Sequence, residues 1–143
     1  MALRYDTEIE IQASPEIVWG LLNDPAKWPE WNSILVSLEG TPSVGAQVQL
    51  AIHVAGCLTK AKVKILEYEA NAAMGWQGGL PGLIAGKHGF RIEKLSNGTV
   101  SFVHYEHFSG LLVPLLGKAL SRIEPDYHRF NQELKTAAET VAN

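Results

Sequence analysis

The last stretch of the chain, Leu112 to Val141, constrains the fold most. Its apolar residues fall at Leu112, Leu116, Leu120, Ile123, Tyr127, Phe130, Leu134, Ala138 and Val141, in steps of three or four. That spacing keeps one stripe on one side of a helix. Lys118, Arg122, Asp126, Arg129, Glu133, Lys135 and Glu139 occupy the opposite side and are expected to face water. At 1.5 Å rise per residue such a helix is roughly 45 Å long. A compact domain of this size has a radius of gyration of only about 14–15 Å. The helix would therefore cross the whole domain, and the rest of the chain must supply an apolar trough for it. Pro125 falls on the wet side, where it is expected to curve the helix around its core rather than break it.

A chain of 143 residues reads as a single domain, residues 1–143, with room for a real core. A net charge of −3 without clustered basic residues argues against nucleic acid, and against a strongly anionic membrane surface as the main partner. Cys57 is the only cysteine. No internal disulfide can form, which fits a reduced, cytoplasmic protein. No secretory signal is evident at the N-terminus. The longest apolar tracts, Leu80–Ala85 and Leu111–Leu116, are too short to span a bilayer.

Upstream of the stripe the chain alternates. Tyr5, Thr7, Ile9 and Ile11 share one side of a first strand, with Arg4, Asp6, Glu8 and Glu10 on the other. Ser14-Pro15-Glu16 has the order of a helix start: cap, proline, acid. Asp24-Pro25 repeats the signal and opens a second short helix carrying Trp28 and Trp31, which Pro29 distorts or ends. From Ser33 onward the pattern is strands only. Ile34, Val36 and Leu38 alternate, as do Val48, Leu50, Ile52 and Val54 after a turn at Gly40–Gly45. Gly56-Cys57 turns tightly. Ala61, Val63 and Ile65 alternate, then the parity shifts, which predicts a bulge near Ile65-Leu66. Met74 and Trp76 form a short strand. Gly78–Gly86 reads as a Gly/Pro-rich loop that also holds Leu80, Leu83 and Ile84. His88, Phe90 and Ile92 share a face of the next strand. Ser96-Asn97-Gly98 is a three-residue hairpin connection with Gly98 left-handed. Phe102, His104, Glu106 and Phe108 share a face of the last strand. The count is seven strands joined as an antiparallel meander, two short helices after the first strand, and the long C-terminal helix.

The element order, together with Ala13-Ser14-Pro15-Glu16-Ile17-Val18-Trp19 and Trp28-Pro29-Glu30-Trp31-Asn32, resembles the SRPBCC superfamily. Gly86-Lys87-His88-Gly89-Phe90 and His104-Tyr105-Glu106-His107-Phe108-Ser109-Gly110-Leu111 resemble its last two strands and helix entry. That superfamily includes START lipid-transfer domains, pollen allergens and polyketide cyclases. The resemblance implies an α+β helix-grip fold, a curved seven-stranded antiparallel sheet wrapped around the C-terminal helix with an internal cavity between them. Ile52, Val54, Val63, Trp76, Phe90, Phe102, Phe108, Leu116, Leu120, Tyr127 and Phe130 are the apolar residues to line it, and for any one of them plain core is the better reading. Trp28, Trp31 and His104 complete the candidate ligand-binding set.

The polar residues of the inner face say more. With a three-residue loop at Ser96–Gly98, Leu95 pairs with Thr99. Counting back, Ile92 lies opposite Phe102, Phe90 opposite His104, and His88 opposite Glu106. A buried carboxylate is costly unless paired, and His88 is the natural partner for Glu106. The pair is the candidate catalytic site, an acid/base or orienting device for a ligand carbonyl or hydroxyl; a structural cross-strand clasp is the alternative. The loop Gly79–Gly86, with Leu80–Ile84 as its apolar stretch, the Gly56-Cys57 turn and the helix start at Leu111–Pro114 should meet at one end of the sheet. There the loop could be a lid, a homodimer patch or simply packed. His53, His107 and His128 read as surface residues. No metal-ligand spacing and no phosphate loop is present, so no cofactor is expected.

Three functions fit these features. One is a binder of a small hydrophobic molecule, lipid, polyketide or isoprenoid-like. Another is a polyketide cyclase or dehydrase-like enzyme using the same cavity. The last is a co-chaperone-like interaction domain in which the cavity is incidental. None requires nucleic acid or integral membrane association.

Overall fold

The computed structural model describes residues 2–143. The elements are β1 (Ala2–Ile11), α1 (Pro15–Leu22), α2 (Trp28–Trp31), β2 (Leu35–Glu39), β3 (Gln47–Val54), β4 (Cys57–Glu69), β5 (Ala73–Leu80), β6 (Ile84–Lys94), β7 (Val100–Ser109), α3 (Val113–Ser121) and α4 (Glu124–Ala142). All seven strands lie in one antiparallel sheet in the order β1-β7-β6-β5-β4-β3-β2. The last strand thus closes beside the first, and the two helices between β1 and β2 carry the chain to the far edge.

Local chemistry sets these boundaries. The Ser14 hydroxyl accepts the Ile17 amide at 3.3 Å and caps α1, with Pro15 in its first turn where no N–H is needed. Asn32 ends α2 and starts β2 in one side chain. Its Nδ2 donates to the Trp28 carbonyl at 2.7 Å, and its Oδ1 accepts the amides of Ile34 and Leu35 at 2.8 and 2.7 Å. The bulge falls between Ile65 and Glu67, where the parity shift predicts it. Leu95 and Thr99 close the β6–β7 hairpin at 2.8 Å, with Gly98 left-handed at φ +86°.

The C-terminal segment is two helices, not one curved rod. α3 ends at Ser121 and α4 begins at Glu124. Pro125 lies in the first turn of α4. A proline ring there clashes with nothing and its missing N–H is not needed, whereas inside a continuous helix it would block the carbonyl four residues back. The residue thus marks a start. The break divides the stripe. Tyr127, Phe130, Leu134 and Ala138 of α4 are buried, whereas Leu112 is exposed and Leu116 and Leu120 are half-exposed on α3. Val141, past the end of the sheet contact, is 61% exposed. Asp126, expected on the wet side, is buried: its Oδ2 accepts the Ala55 amide of the β3–β4 turn at 2.9 Å.

The predicted loop over Gly78–Gly86 is mostly strand. β5 and β6 stay paired through Gly78↔Gly86, Gly79↔Ala85 and Leu80↔Ile84, leaving Pro81–Leu83 to turn. Glycines weaken a strand but do not prevent pairing. The tip is then held from above, since the Leu111 and Leu112 amides donate to the Gly82 and Leu83 carbonyls at 3.1 and 2.9 Å. The β3–β4 turn, the β5–β6 tip and the helix starts therefore meet at one end. At the other end the sheet and α4 are closed by Phe130 stacked on Phe90 (5.3 Å, 15°) and by Leu134 and Ala138, both fully buried.

Candidate functional site

Between the sheet and the first turns of α4 lies a cavity of about 300 Å³. Ile52, Val54 and Val63 wall one side, from β3 and β4, and Trp76, Phe90 and Phe108 the other, from β5 to β7. Ile123, Tyr127 and Phe130 roof it. The half-exposed members Ile34, His53, Val54, Ile84 and Ile123 mark its mouth, at the end where the hairpin tips meet. Glycines make the room. A Cβ on Gly78 would sit 3.1 Å from Val63 Cγ1, and one on Gly86 would sit 2.9 Å from Glu106 Oε2 and 3.3 Å from the Phe108 ring.

The inner polar cluster stands in this wall. The β6–β7 register is His88↔Glu106 and Phe90↔His104, which puts all three polar side chains on the cavity face. Glu106 Oε1 lies 3.1 Å from His88 Nδ1 and accepts the Tyr127 hydroxyl at 2.9 Å. His88 Nε2 lies 2.8 Å from His104 Nε2. His104 Nδ1 lies 2.8 Å from Asn131 Oδ1, Asn131 Nδ2 donates to Thr7 Oγ1 at 2.8 Å, and the Thr7 hydroxyl donates to the His104 carbonyl at 2.7 Å. Five side chains from β1, β6, β7 and α4 thus form one chain of hydrogen bonds, with Tyr127 as a branch. The Trp76 ring stacks on His88 at 5.0 Å, nearly parallel at 6°.

Burial and charge set the protonation pattern. His104 is pushed well below the ordinary imidazole range, first by its complete burial and then by His88, against the opposing hydrogen bond of Asn131. Burial alone would raise Glu106. The His88 charge and the hydrogen bonds from His88 and Tyr127 outweigh it, and the carboxyl ends below its usual value. The Tyr127 hydroxyl is pushed up by burial and by the neighbouring carboxylate, so it stays a donor. An ionised carboxylate facing an apolar cavity can accept a hydrogen bond from a ligand or take a proton from it.

Not every predicted site residue reaches the cavity. Ile52, Val54, Val63, Trp76, His88, Phe90, His104, Glu106, Phe108, Tyr127 and Phe130 line it. Trp28 is fully buried elsewhere, with its indole N–H donated to the Leu22 carbonyl at 2.9 Å. Trp31 packs on Phe130 at 5.5 Å from the outer side and faces a groove between α1, α2 and α4. Phe102 lies behind Phe90, at 5.5 Å, in the closed half of the core. Leu116 and Leu120 sit on α3, beyond the break, and do not line it. His53, read as a surface residue, is half-exposed at the mouth. The sequence reading missed Asn131, Thr7, Asp126 and the glycines. Thr7 had a signal, since it shares the dry side of β1 with Ile9 and Ile11. Asn131 follows Phe130 directly and so flanks the stripe, where a polar residue reads as wet. Among the described residues no group of three or more His, Cys, Asp or Glu side chains could hold a metal ion.

A curved sheet gripping a helix across a partly open interior is the helix-grip architecture. The chain belongs to the family described as polyketide cyclase / dehydrase and lipid transport, whose model matches residues 2–139, and through it to the SRPBCC superfamily. No curated protein matches it. Among solved structures it is similar to the ZhuI aromatase/cyclase of Streptomyces sp. R1128, at a TM-score of 0.79 and 12% identity over 100% of this chain and 97% of that one. It is also similar to protein MLL2253 of Mesorhizobium loti (TM-score 0.71, 20% identity, covering 96% and 98%). A START superfamily protein of Mycobacterium smegmatis matches at a TM-score of 0.67 and 14% identity, covering 96% and 98%. At these identities the likeness is one of fold. Among the described residues no helix is long and apolar enough to cross a membrane.

Proposed function

We propose that this chain, as one domain, binds a small hydrophobic molecule of the lipid, polyketide or isoprenoid kind between the sheet and α4. The supporting observation is the unfilled space itself. Protein interiors pack like organic crystals, and an empty apolar space costs stability in proportion to its volume. About 300 Å³ is left open beside a core in which Phe90, Phe102 and Phe130 are close-packed. Such a space, largely apolar with a few convergent polar groups, has the character of a ligand site. In this reading Trp76, Phe108 and Tyr127 touch the ligand, while Trp28, Trp31 and Phe102 only support the wall. Native mass spectrometry of protein purified from its own host tests it: a co-purifying small molecule is expected. Ligand-free protein whose melting temperature no hydrophobic probe raises would refute it.

A second reading is favoured by one observation, the carboxylate of Glu106 facing the cavity. There His88 and Glu106 serve a cyclase- or dehydrase-like reaction, Glu106 taking a proton and His88 fixing its charge and pose. Glu106→Gln that binds substrate analogues as wild type does yet loses all turnover is the outcome expected of an enzyme. The exposed Leu80 and Leu83 at the mouth support a homodimer contact there, and a cytoplasmic protein with no cofactor fits the same picture.

A further inference from the structure

The cluster's bond directions can be counted from one end, because its anchor is a backbone carbonyl. A carbonyl only accepts, so the Thr7 hydroxyl must donate to the His104 carbonyl. With its one proton spent, Thr7 Oγ1 must accept from Asn131, which orients that amide with Nδ2 toward Thr7. Asn131 Oδ1 then faces His104 and can only accept, so His104 Nδ1 carries a proton. In neutral His104 the Nε2 is bare, and His88 Nε2 must donate to it. One polar contact remains, His88 Nδ1 against Glu106 Oε1. It needs one proton between two atoms that would otherwise both be acceptors. On Nδ1 it makes an imidazolium–carboxylate pair, and on Oε1 a neutral pair.

Glu106 Oε2 comes out the same in both cases. It has no hydrogen-bond partner within the cluster, and Gly86 leaves space directly in front of it. As a carboxylate oxygen or as the carbonyl oxygen of the acid, it is an acceptor. The two histidine rings have both nitrogens engaged, and Tyr127 gives its proton to Oε1. The cluster thus offers the cavity acceptors and no free donor, Glu106 Oε2 foremost, beside the aromatic side chains of Trp76 and Phe108 that line it.

Resting on the binding reading above, we propose that the ligand is a neutral, flat hydroxyl compound, alcohol or phenol, whose O–H donates to Glu106 Oε2, and that the cavity rejects carboxylate ligands such as free fatty acids. A carboxylate has no proton to give and would bring like charge against Glu106 in a dry site, where screening is weak. Polarity alone does not give this result. A Glu106 protonated on Oε2 would instead offer a donor and select a carbonyl or an acid.

The test uses matched bicyclic probes on the full chain at neutral pH, read by isothermal titration calorimetry: 2-naphthol, 2-methoxynaphthalene and 2-naphthoate. The naphthol is expected to bind at least about tenfold more tightly than the other two, the range for a hydrogen bond to a charged acceptor. In Glu106→Gln the amide nitrogen takes the Oε2 position, because Tyr127 still donates to the oxygen. The naphthol preference over the ether should fall to about twofold or less. Equal binding of naphthol and ether to wild type, or tightest binding of naphthoate, overturns the hydroxyl assignment and leaves the binding reading standing. Failure of all three to bind refutes the binding reading with it. If the variant does not fold, the wild-type ranking still decides.

Discussion

At the scale of single residues, the bond directions make Asn131 a positioning residue. It holds the His104 proton on Nδ1, and through His104 the proton on His88. Removing its side chain in Asn131→Ala leaves that buried N–H unpaired, at a cost of about 1–3 kcal/mol in urea denaturation. The variant should also broaden the His88 imidazole resonances as the two tautomers begin to exchange. His104 has a pH signature of its own. Its pKa is lowered in the folded state, so below about 6.5 the unfolded chain binds a proton that the folded chain does not. Stability contributed by His104 is present above that pH and is lost as pH falls toward the folded-state value. The slope per proton is at most about 1.4 kcal/mol per pH unit. A His104→Gln variant should show a flatter stability curve between about pH 6.5 and 5. Equal slopes would mean that the ring is not held neutral. Gly86 gives a third check. Gly86→Ala puts a methyl 2.9 Å from Glu106 Oε2 and 3.3 Å from the Phe108 ring, so the carboxylate must shift, and naphthol affinity in calorimetry should fall by about tenfold or more.

At the scale of elements, legibility followed the strength of the local rule. The β6–β7 register could be counted from a three-residue loop, so the His88–Glu106 pairing was readable. A one-residue slip would have turned every inner side chain outward. The C-terminal stripe was readable as helix but not as two helices. A proline at a helix start and one at a bend carry the same local signature, and the packing of α3 across β1 decides between them. The Gly78–Gly86 stretch misled because glycine marks turns in most sequences. Here Gly78 and Gly86 are needed where Val63, Glu106 and Phe108 press close to the backbone. The packing of α4 makes a further contrast. Phe130 is fully buried between Phe90 and Trp31, whereas Arg129 is mostly exposed. Phe130→Ala should cost about 3–5 kcal/mol. Arg129→Ala should fall within roughly 0.5 kcal/mol, even allowing for its bond to Asp126. Comparable losses would mean that α4 lies otherwise on the sheet.

At the scale of the whole molecule, stability and openness are divided between the two ends. One end is tied by side chains that cross from α4 to the strands and loops, Lys135 to the Glu10 carbonyl at 2.9 Å and Glu139 to the Gln12 amide at 2.8 Å, and its core is solid. The mouth end carries the exposed leucines, Leu80 at 63%, Leu111 at 81% and Leu115 at 79%. Exposed apolar side chains count as a contact surface only where they gather into one patch. If two copies meet there, light scattering should show a concentration-dependent dimer, and a Leu80→Ser/Leu115→Ser variant should remain monomeric at every concentration. No second copy at millimolar protein would leave the leucines as the rim of the mouth alone.

The two amides of Leu111 and Leu112, bonded to the Gly82 and Leu83 carbonyls, hold the β5–β6 tip against the start of α3. A guest too wide for the mouth has to wait until both let go. Deuterium uptake at those two positions would then keep time with guest exchange, and a molecule lodged inside would slow both clocks together.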